Sequence, residues 1–120
     1  MATEKLNRVY SNNLGTTLTT VYTAPAHASS GTENMSVIIS LMVCNTHSAA
    51  ITADVVLMPG GTSTEINIAN NIEIPDKNAV EIIQSRVFLK HDGTDGDVVK
   101  VRCDTGSHAD VWISTLEGIN

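Results

Sequence analysis

Residues 35–45 read MSVIISLMVCN and form the most apolar segment of the chain. Ser40 is the one polar residue between Val37 and Cys44. The segment is too short to span a bilayer, which takes about 20 apolar residues. Its β-branched content and its polar ends favour a strand buried on both faces over a helix.

The next segment has the pattern of a half-buried strand. Residues 46–50 are small or polar and predict a turn, after which residues 51–58 alternate with period two. One face would carry the apolar side chains and the other the polar ones: Ile51, Ala53, Val55 and Leu57 against Thr52 and Asp54. We therefore predict that residues 35–58 form a central hairpin on which the other strands pack.

Short strands are also predicted on both sides of this hairpin. They cover residues 16–23, 62–69, 79–84, 85–89, 98–103 and 109–116, with a short extended piece at 72–75. In two of them we expect an alternating face: Ile66 and Ile68 together, and Val99, Val101 and Cys103 inward. No segment has a convincing helical pattern. The sequence predicts an all-β fold, a single β-sandwich of about eight short antiparallel strands, either jelly-roll-like or Ig-like.

At 120 residues, the chain is expected to form one domain. Residues 1–15 are interpreted as an N-terminal arm or edge segment, and residues 16–120 as the β-sandwich domain. The first segment is polar apart from Leu6, Val9 and Tyr10. Terminal segments of this kind often become ordered against a neighbour. The N-terminus has no signal-peptide pattern, so we expect assembly in the cytoplasm.

Composition argues against several classes of partner. The formal charge is −6, and the seven Lys and Arg residues are not clustered, so nucleic-acid binding is not expected. Aromatic residues make up only 3% of the chain, which argues against a stacking platform for sugars or bases. Cys44 and Cys103 fall in predicted strands and are interpreted as buried free thiols. A disulfide would require their Cα atoms to lie within about 7 Å.

The loop at residues 91–97 combines three carboxylates with two glycines. Two interpretations are open: a site for a hard cation such as calcium, or a hairpin loop in which Asp side chains bond the local backbone. The four histidines, His27, His47, His91 and His108, also fall in predicted loops. They would converge only if those loops share one end of the sandwich, and we predict no metal site.

No constellation of catalytic residues is visible. The chain has no G-x-S-x-G motif, and the sequence GGTST at residues 60–64 lacks the lysine of a phosphate loop. We predict neither enzymatic activity nor a cofactor, and no small-molecule substrate or membrane association.

Trp112 suggests a protein interface. If Val111 and Ile113 face the core, Trp112 faces outward, where tryptophan is typical of binding hot spots. The alternative is a strand covered on both faces with Trp112 in the core. The predicted interface residues are Leu6, Val9, Tyr10 and Trp112.

The order of the turn and strand motifs resembles a group of small phage virion proteins. The resemblance covers about residues 16–117, although the 91–94 part of the Asp/Gly loop is longer than the short turn of that group. The motifs that carry it are YTAPA at 22–26, VCN at 43–45, IPDKN at 74–78, GDVVKV at 96–101 and VWIS at 111–114.

This resemblance implies a β-sandwich building block of a virion. The function we expect is capsid decoration (cementing), with the major capsid protein or other virion proteins as partners and with homo-oligomer formation. The alternatives are a tail, collar, baseplate or fibre-associated module and, from another class, a glycan-binding adhesion module. No catalytic residue is implied by the resemblance.

Overall fold

The computed structural model describes residues 4–119, which form nine β-strands. Their bounds are β1 Lys5–Leu14, β2 Thr19–Thr23, β3 Asn34–Asn45, β4 Ile51–Met58, β5 Ile66–Ile74, β6 Ala79–Ile83, β7 Val87–His91, β8 Val98–Cys103 and β9 Ala109–Ile119. Between residues 4 and 119 there is no helix of the length and apolarity needed to cross a membrane.

The strands form two antiparallel sheets. The five-stranded sheet has the order β1-β9-β3-β6, and β7 also pairs with β3. β7 lies beside the first half of β3 and β6 beside its second half. The four-stranded sheet has the order β2-β8-β4-β5. The predicted all-β sandwich is therefore confirmed.

The core between the sheets is aliphatic. It is filled by Ile38, Leu41, Val43 and Ile113 from the five-stranded sheet and by Ile51, Val55, Val99 and Val101 from the other, all fully buried or nearly so. Full burial of one such side chain contributes about 1.5–3 kcal/mol. Tyr22, which is 5% exposed, is the aromatic residue of this core.

The prediction that residues 35–45 are buried on both faces is wrong. Ile38, Leu41 and Val43 point into the core, whereas Ile39 and Met42 are 38% and 42% exposed. A register shift between Ile38 and Ser40 in the pairing with β9 lets Ile38 and Leu41 face the same way although they are three residues apart. β3 is thus apolar on both sides, but only one side meets the opposite sheet.

The predicted hairpin of β3 with β4 is also wrong, because the two strands lie in different sheets. The buried side chain of Asn45 stabilises the segment that connects β3 in one sheet to β4 in the other. Its Nδ2 donates to the carbonyls of Ala49, Ile74 and Pro75 at 2.9, 3.0 and 3.1 Å, and its Oδ1 accepts from the amide of His47 at 2.7 Å. These bonds satisfy backbone groups of the turn after β3 and of the end of β5.

The alternation predicted for β8 is confirmed, and so is the inward face predicted for β4, although Asp54 and Val56 on the other side of β4 are buried as well. The inward side chains are buried in both strands: Ile51, Ala53 and Val55 in β4, and Val99, Val101 and Cys103 in β8, while Leu57 is half-buried. Both cysteines are free thiols; Cys103 is buried, whereas Cys44 is only half-buried.

β5 is one strand where the sequence predicted two pieces separated at Asn70 and Asn71. Asn71 has φ of 55°, and its amide donates to Asp54 Oδ1 at 2.7 Å. This bond lets the strand continue through an irregular register with β4. Ile66 and Ile68 are both exposed, and the buried positions of β5 are instead Ala69 and Ile74.

β1 is an edge strand of the five-stranded sheet. It pairs with β9 from Lys5 to Ser11, and the register then shifts before Leu14. Leu14 is buried in the core.

Candidate interaction face

The outer side of the five-stranded sheet carries exposed apolar side chains on four of its strands, here together called the apolar face, and the polar residues Arg8, Ser114 and Ser40 lie between its two rows. Its members are Leu6 and Tyr10 of β1, Trp112 and Leu116 of β9, Val37, Ile39 and Met42 of β3, and Phe88 of β7. Leu6, Tyr10, Phe88 and Trp112 are 76%, 63%, 58% and 47% exposed. Soluble monomers rarely leave large contiguous apolar patches uncovered, and such patches mark interaction sites.

The strand register aligns part of this face in a row across four strands. Leu6 lies opposite Leu116, Leu116 opposite Val37, and Val37 opposite Phe88. Directly opposite side chains in a sheet lie about 4.5–5.5 Å apart at Cβ. The row therefore presents one aliphatic and aromatic ridge that runs across the strands.

A second row carries the aromatic pair of the face. Trp112 lies opposite Tyr10 on one side and Met42 on the other. The rings of Tyr10 and Trp112 stack with centroids 5.6 Å apart and planes 13° apart. The guanidinium of Arg8 lies 5.6 Å from the Tyr10 centroid and 5.5 Å from that of Trp112. Each exposed cation–π contact is worth about 0.5–1 kcal/mol, so the three side chains hold one another in place.

A cleft of about 300 Å³ adjoins this second row. Tyr10, Trp112, Met42 and Cys44 contribute to its walls. Its size and apolar walls suit the side chain of a docked partner, because hot-spot residues fill pockets of this kind.

Three of the four predicted interface residues lie on the apolar face: Leu6, Tyr10 and Trp112. Of the two interpretations of Trp112, the outward one matches the structure, since Val111 and Ile113 are buried. Val9 lies on the other side of β1, half-buried, and packs against the core. Val9 therefore belongs to the inner side of the sheet.

Sequence reasoning missed the contribution of β3 and β7 to this face. An uninterrupted apolar run conceals which side of a strand is exposed, and the register shift in β3 obscures the alternation further. The outward position of Phe88 is likewise not evident from the sequence, because Phe88 lies between two apolar residues, Val87 and Leu89, which are both more buried.

The carboxylates of Asp92 and Asp97 in the Asp/Gly loop accept hydrogen bonds from backbone amides. Asp92 Oδ1 accepts from the amides of Asp95 and Thr94 in the same loop, both at 2.8 Å, and these bonds hold the pKa of Asp92 below its usual value. Asp97 accepts from amides outside the loop, those of Gly60 and Lys90, at 2.8 and 3.0 Å, and Gly93 supplies φ of 100°. Of the two interpretations of this loop, the structure matches the backbone-bonded one.

The structure brings two of the four histidines together. The rings of His47 and His108 lie 4.3 Å apart at their centroids. His27 and His91 each accept a backbone amide of their own loop, at 2.9 and 3.1 Å. Within residues 4–119, no three His, Cys, Asp or Glu side chains are grouped so as to hold a metal ion.

Comparison with known proteins gives a likeness of fold. The chain resembles a solved structure described as "Bacillus endospore appendages form a novel family of disulfide-linked pili", with 13% sequence identity and a TM-score of 0.50. The likeness covers 98% of this chain and 89% of the other. No protein-family model and no curated protein matches the sequence. At this identity, the likeness shows the β-sandwich fold alone.

Proposed function

We propose that this chain is a structural protein of a bacteriophage particle, a decoration protein that binds the capsid and cements neighbouring shell subunits. The observation that carries this proposal is the apolar face, which lies on four paired strands and is exposed in the single chain. The order of the phage-like motifs between residues 16 and 117 supports the choice of partner. The structural neighbour, described as a component of pili, indicates that this fold is used in repeating assemblies.

The chemistry of the face specifies the partner surface. It includes the stacked pair of Tyr10 and Trp112, and Arg8 adds a positive charge beside it. The complementary capsid surface would be apolar, with a carboxylate placed to meet Arg8. Such a charge would set orientation and specificity more than affinity.

Two further features would strengthen attachment to a shell. β1 is an edge strand, and the backbone groups of an edge can add a strand from a partner. Many copies on a symmetric lattice would gain strength through multivalency, even where each contact is weak. The sandwich would then act as a rigid bridge between subunits.

Quantitative mass spectrometry of purified particles tests this proposal through copy number. A decoration protein is expected in many copies, in a fixed ratio to the capsid protein. A few copies per particle would instead indicate a tail, collar, baseplate or fibre module, and absence from particles would contradict a virion role.

The double substitution Tyr10→Ala and Trp112→Ala tests the docking face itself. We expect loss of particle occupancy with the fold retained. The matched control is Ile68→Ala, which removes an exposed isoleucine from the four-stranded sheet and should leave occupancy unchanged. Equal occupancy for both variants would exclude the apolar face as the docking surface.

A further inference from the structure

A pocket of about 370 Å³ lies at the end of the sandwich where β1 and β3 begin and β9 ends. Its lining includes Lys5, Pro25, His27, Asn34, Glu117 and Gly118. Glu117 is only 4% exposed and Asn34 only 6%. The pocket is thus lined by two polar side chains that the fold has almost completely withdrawn from solvent.

Three side chains donate hydrogen bonds to one oxygen of the Glu117 carboxylate, Oε2. Tyr22 donates its hydroxyl to Oε2 at 2.6 Å, Asn7 its Nδ2 at 3.2 Å and Thr115 its hydroxyl at 3.3 Å. Burial, reinforced by the bond to Glu117, raises the pKa of Tyr22 to about 12. Tyr22 therefore stays a donor across the physiological range.

No cation within residues 4–119 forms a salt bridge with Glu117. The ion pairs of this part of the chain join Lys90 to Glu33 and Arg102 to Asp54. Lys5, the cross-strand neighbour of Glu117, is exposed at the rim of the pocket. Buried carboxylates are normally paired with a cation, so a carboxylate that lines an open pocket is suited to receive one.

We propose that this pocket binds a primary ammonium group, either from a free alkylamine or from a lysine side chain of a partner protein, with Glu117 as its counter-ion. Asn34 contributes an acceptor, because its Nδ2 already donates to the carbonyl of Pro25 at 3.0 Å and its Oδ1 is the remaining polar atom. An ammonium is favoured over a guanidinium, since a bidentate fork requires both carboxylate oxygens and Oε2 already accepts three bonds. This inference is independent of the proposed capsid role.

Amide chemical-shift titration of the full chain tests the site with three probes: n-butylamine, Nα-acetyl-lysine methylamide and, as the neutral control, n-butanol. We expect both amines to shift the amides of Asn34, Glu117 and Gly118 saturably, and butanol to leave them unchanged. Binding of butylamine alone would identify free amines as the ligand. Absence of saturable shifts with either amine would overturn the proposal.

Two variants show whether the pocket and its carboxylate are responsible. Glu117→Gln keeps the shape and removes the charge, so amine affinity should fall by at least about tenfold, the effect of losing one charge-assisted bond. Ala26 lies on the exposed rim of the pocket. The Ala26→Trp variant should keep the amine out of the pocket while Glu117 stays in place. This second variant tests the pocket if Glu117→Gln does not fold. Unchanged amine binding in either folded variant would overturn the proposal.

Discussion

The indole of Trp112 on β9 stacks against the ring of Tyr10 on β1, with centroids 5.6 Å apart. The pair lies on the outer side of a five-stranded sheet, and the guanidinium of Arg8 lies over both rings. Because strands rather than loops position these side chains, little conformational entropy would be lost when a partner covers them. A pre-ordered aromatic pair with an arginine is the composition expected of a binding hot spot.

Trp112→Ala should weaken attachment far more than it destabilises the fold. Loss of the aromatic stack and of the cation–π contact accounts for about 1–2 kcal/mol of the free energy of unfolding. Truncation of a buried aromatic would cost about 3–5 kcal/mol. Urea denaturation separates the two ranges, and a value in the higher one would place Trp112 in the core.

Asn45→Ala should destabilise the fold strongly. It removes the four hydrogen bonds at the crossing between the sheets and leaves the carbonyls of Ile74 and Pro75 without this donor, a loss of about 2–4 kcal/mol. Asn78→Ala is the matched control, since Asn78 is exposed and its side chain bonds only locally, to the carbonyl of Asp76. Equal denaturation midpoints for the two variants would contradict the role assigned to Asn45.

Gly96→Ala should also destabilise the fold, because a Cβ at this position would overlap the carbonyl oxygen of Ala24. Overpacking of this kind costs about 1–3 kcal/mol. At Gly106 a Cβ would meet no atom within 4 Å, so Gly106→Ala should stay within about 0.5 kcal/mol of the parent. Thermal unfolding of both variants checks the contrast, which would be refuted if Gly96→Ala were equally neutral.

Asp54 should make stability depend on pH in the acid range. Burial opposes its ionisation, but the amide of Asn71 and the guanidinium of Arg102 outweigh burial and hold the pKa of Asp54 below its usual value. The unfolded carboxyl titrates near pH 3.9. The stabilisation is therefore present above about pH 4 and disappears as the pH falls through the lower pKa of the folded state.

Comparison with Asp54→Asn isolates this contribution. The free energy of unfolding of the parent should exceed that of the variant at pH 6, and the difference should shrink as the pH falls below about 4. Asp76→Asn, at an exposed turn position, serves as the control and should show no such change. A difference for Asp54→Asn that stays constant with pH would contradict the assignment.

The fold class and most strands could be predicted from the sequence because period-two alternation is a local property. β8 has the predicted bounds, and its Val99, Val101 and Cys103 are buried as expected. The partner of a strand is not local. The pairing of β3 with β9 and the separation of β3 from β4 depend on contacts between distant segments, and the role of Asn45 becomes evident only when Ile74 and Pro75 are placed beside it.

The apolar face could be predicted only in part. Trp112 stands between two inward residues in an alternating strand, which is why its outward position follows from the sequence. Met42 and Phe88 lie in uninterrupted apolar runs, in which exposed and buried positions cannot be told apart without the register. The stacking of Tyr10 on Trp112 likewise depends on the pairing of β1 with β9.

Electron cryomicroscopy of the intact particle would show directly which side of the sandwich meets the shell. We expect copies arranged on the capsid lattice, with Tyr10, Trp112 and Phe88 against capsid subunits and the four-stranded sheet turned away. A map in which the apolar face is exposed to solvent, or in which the protein is absent from the shell, would contradict this expectation.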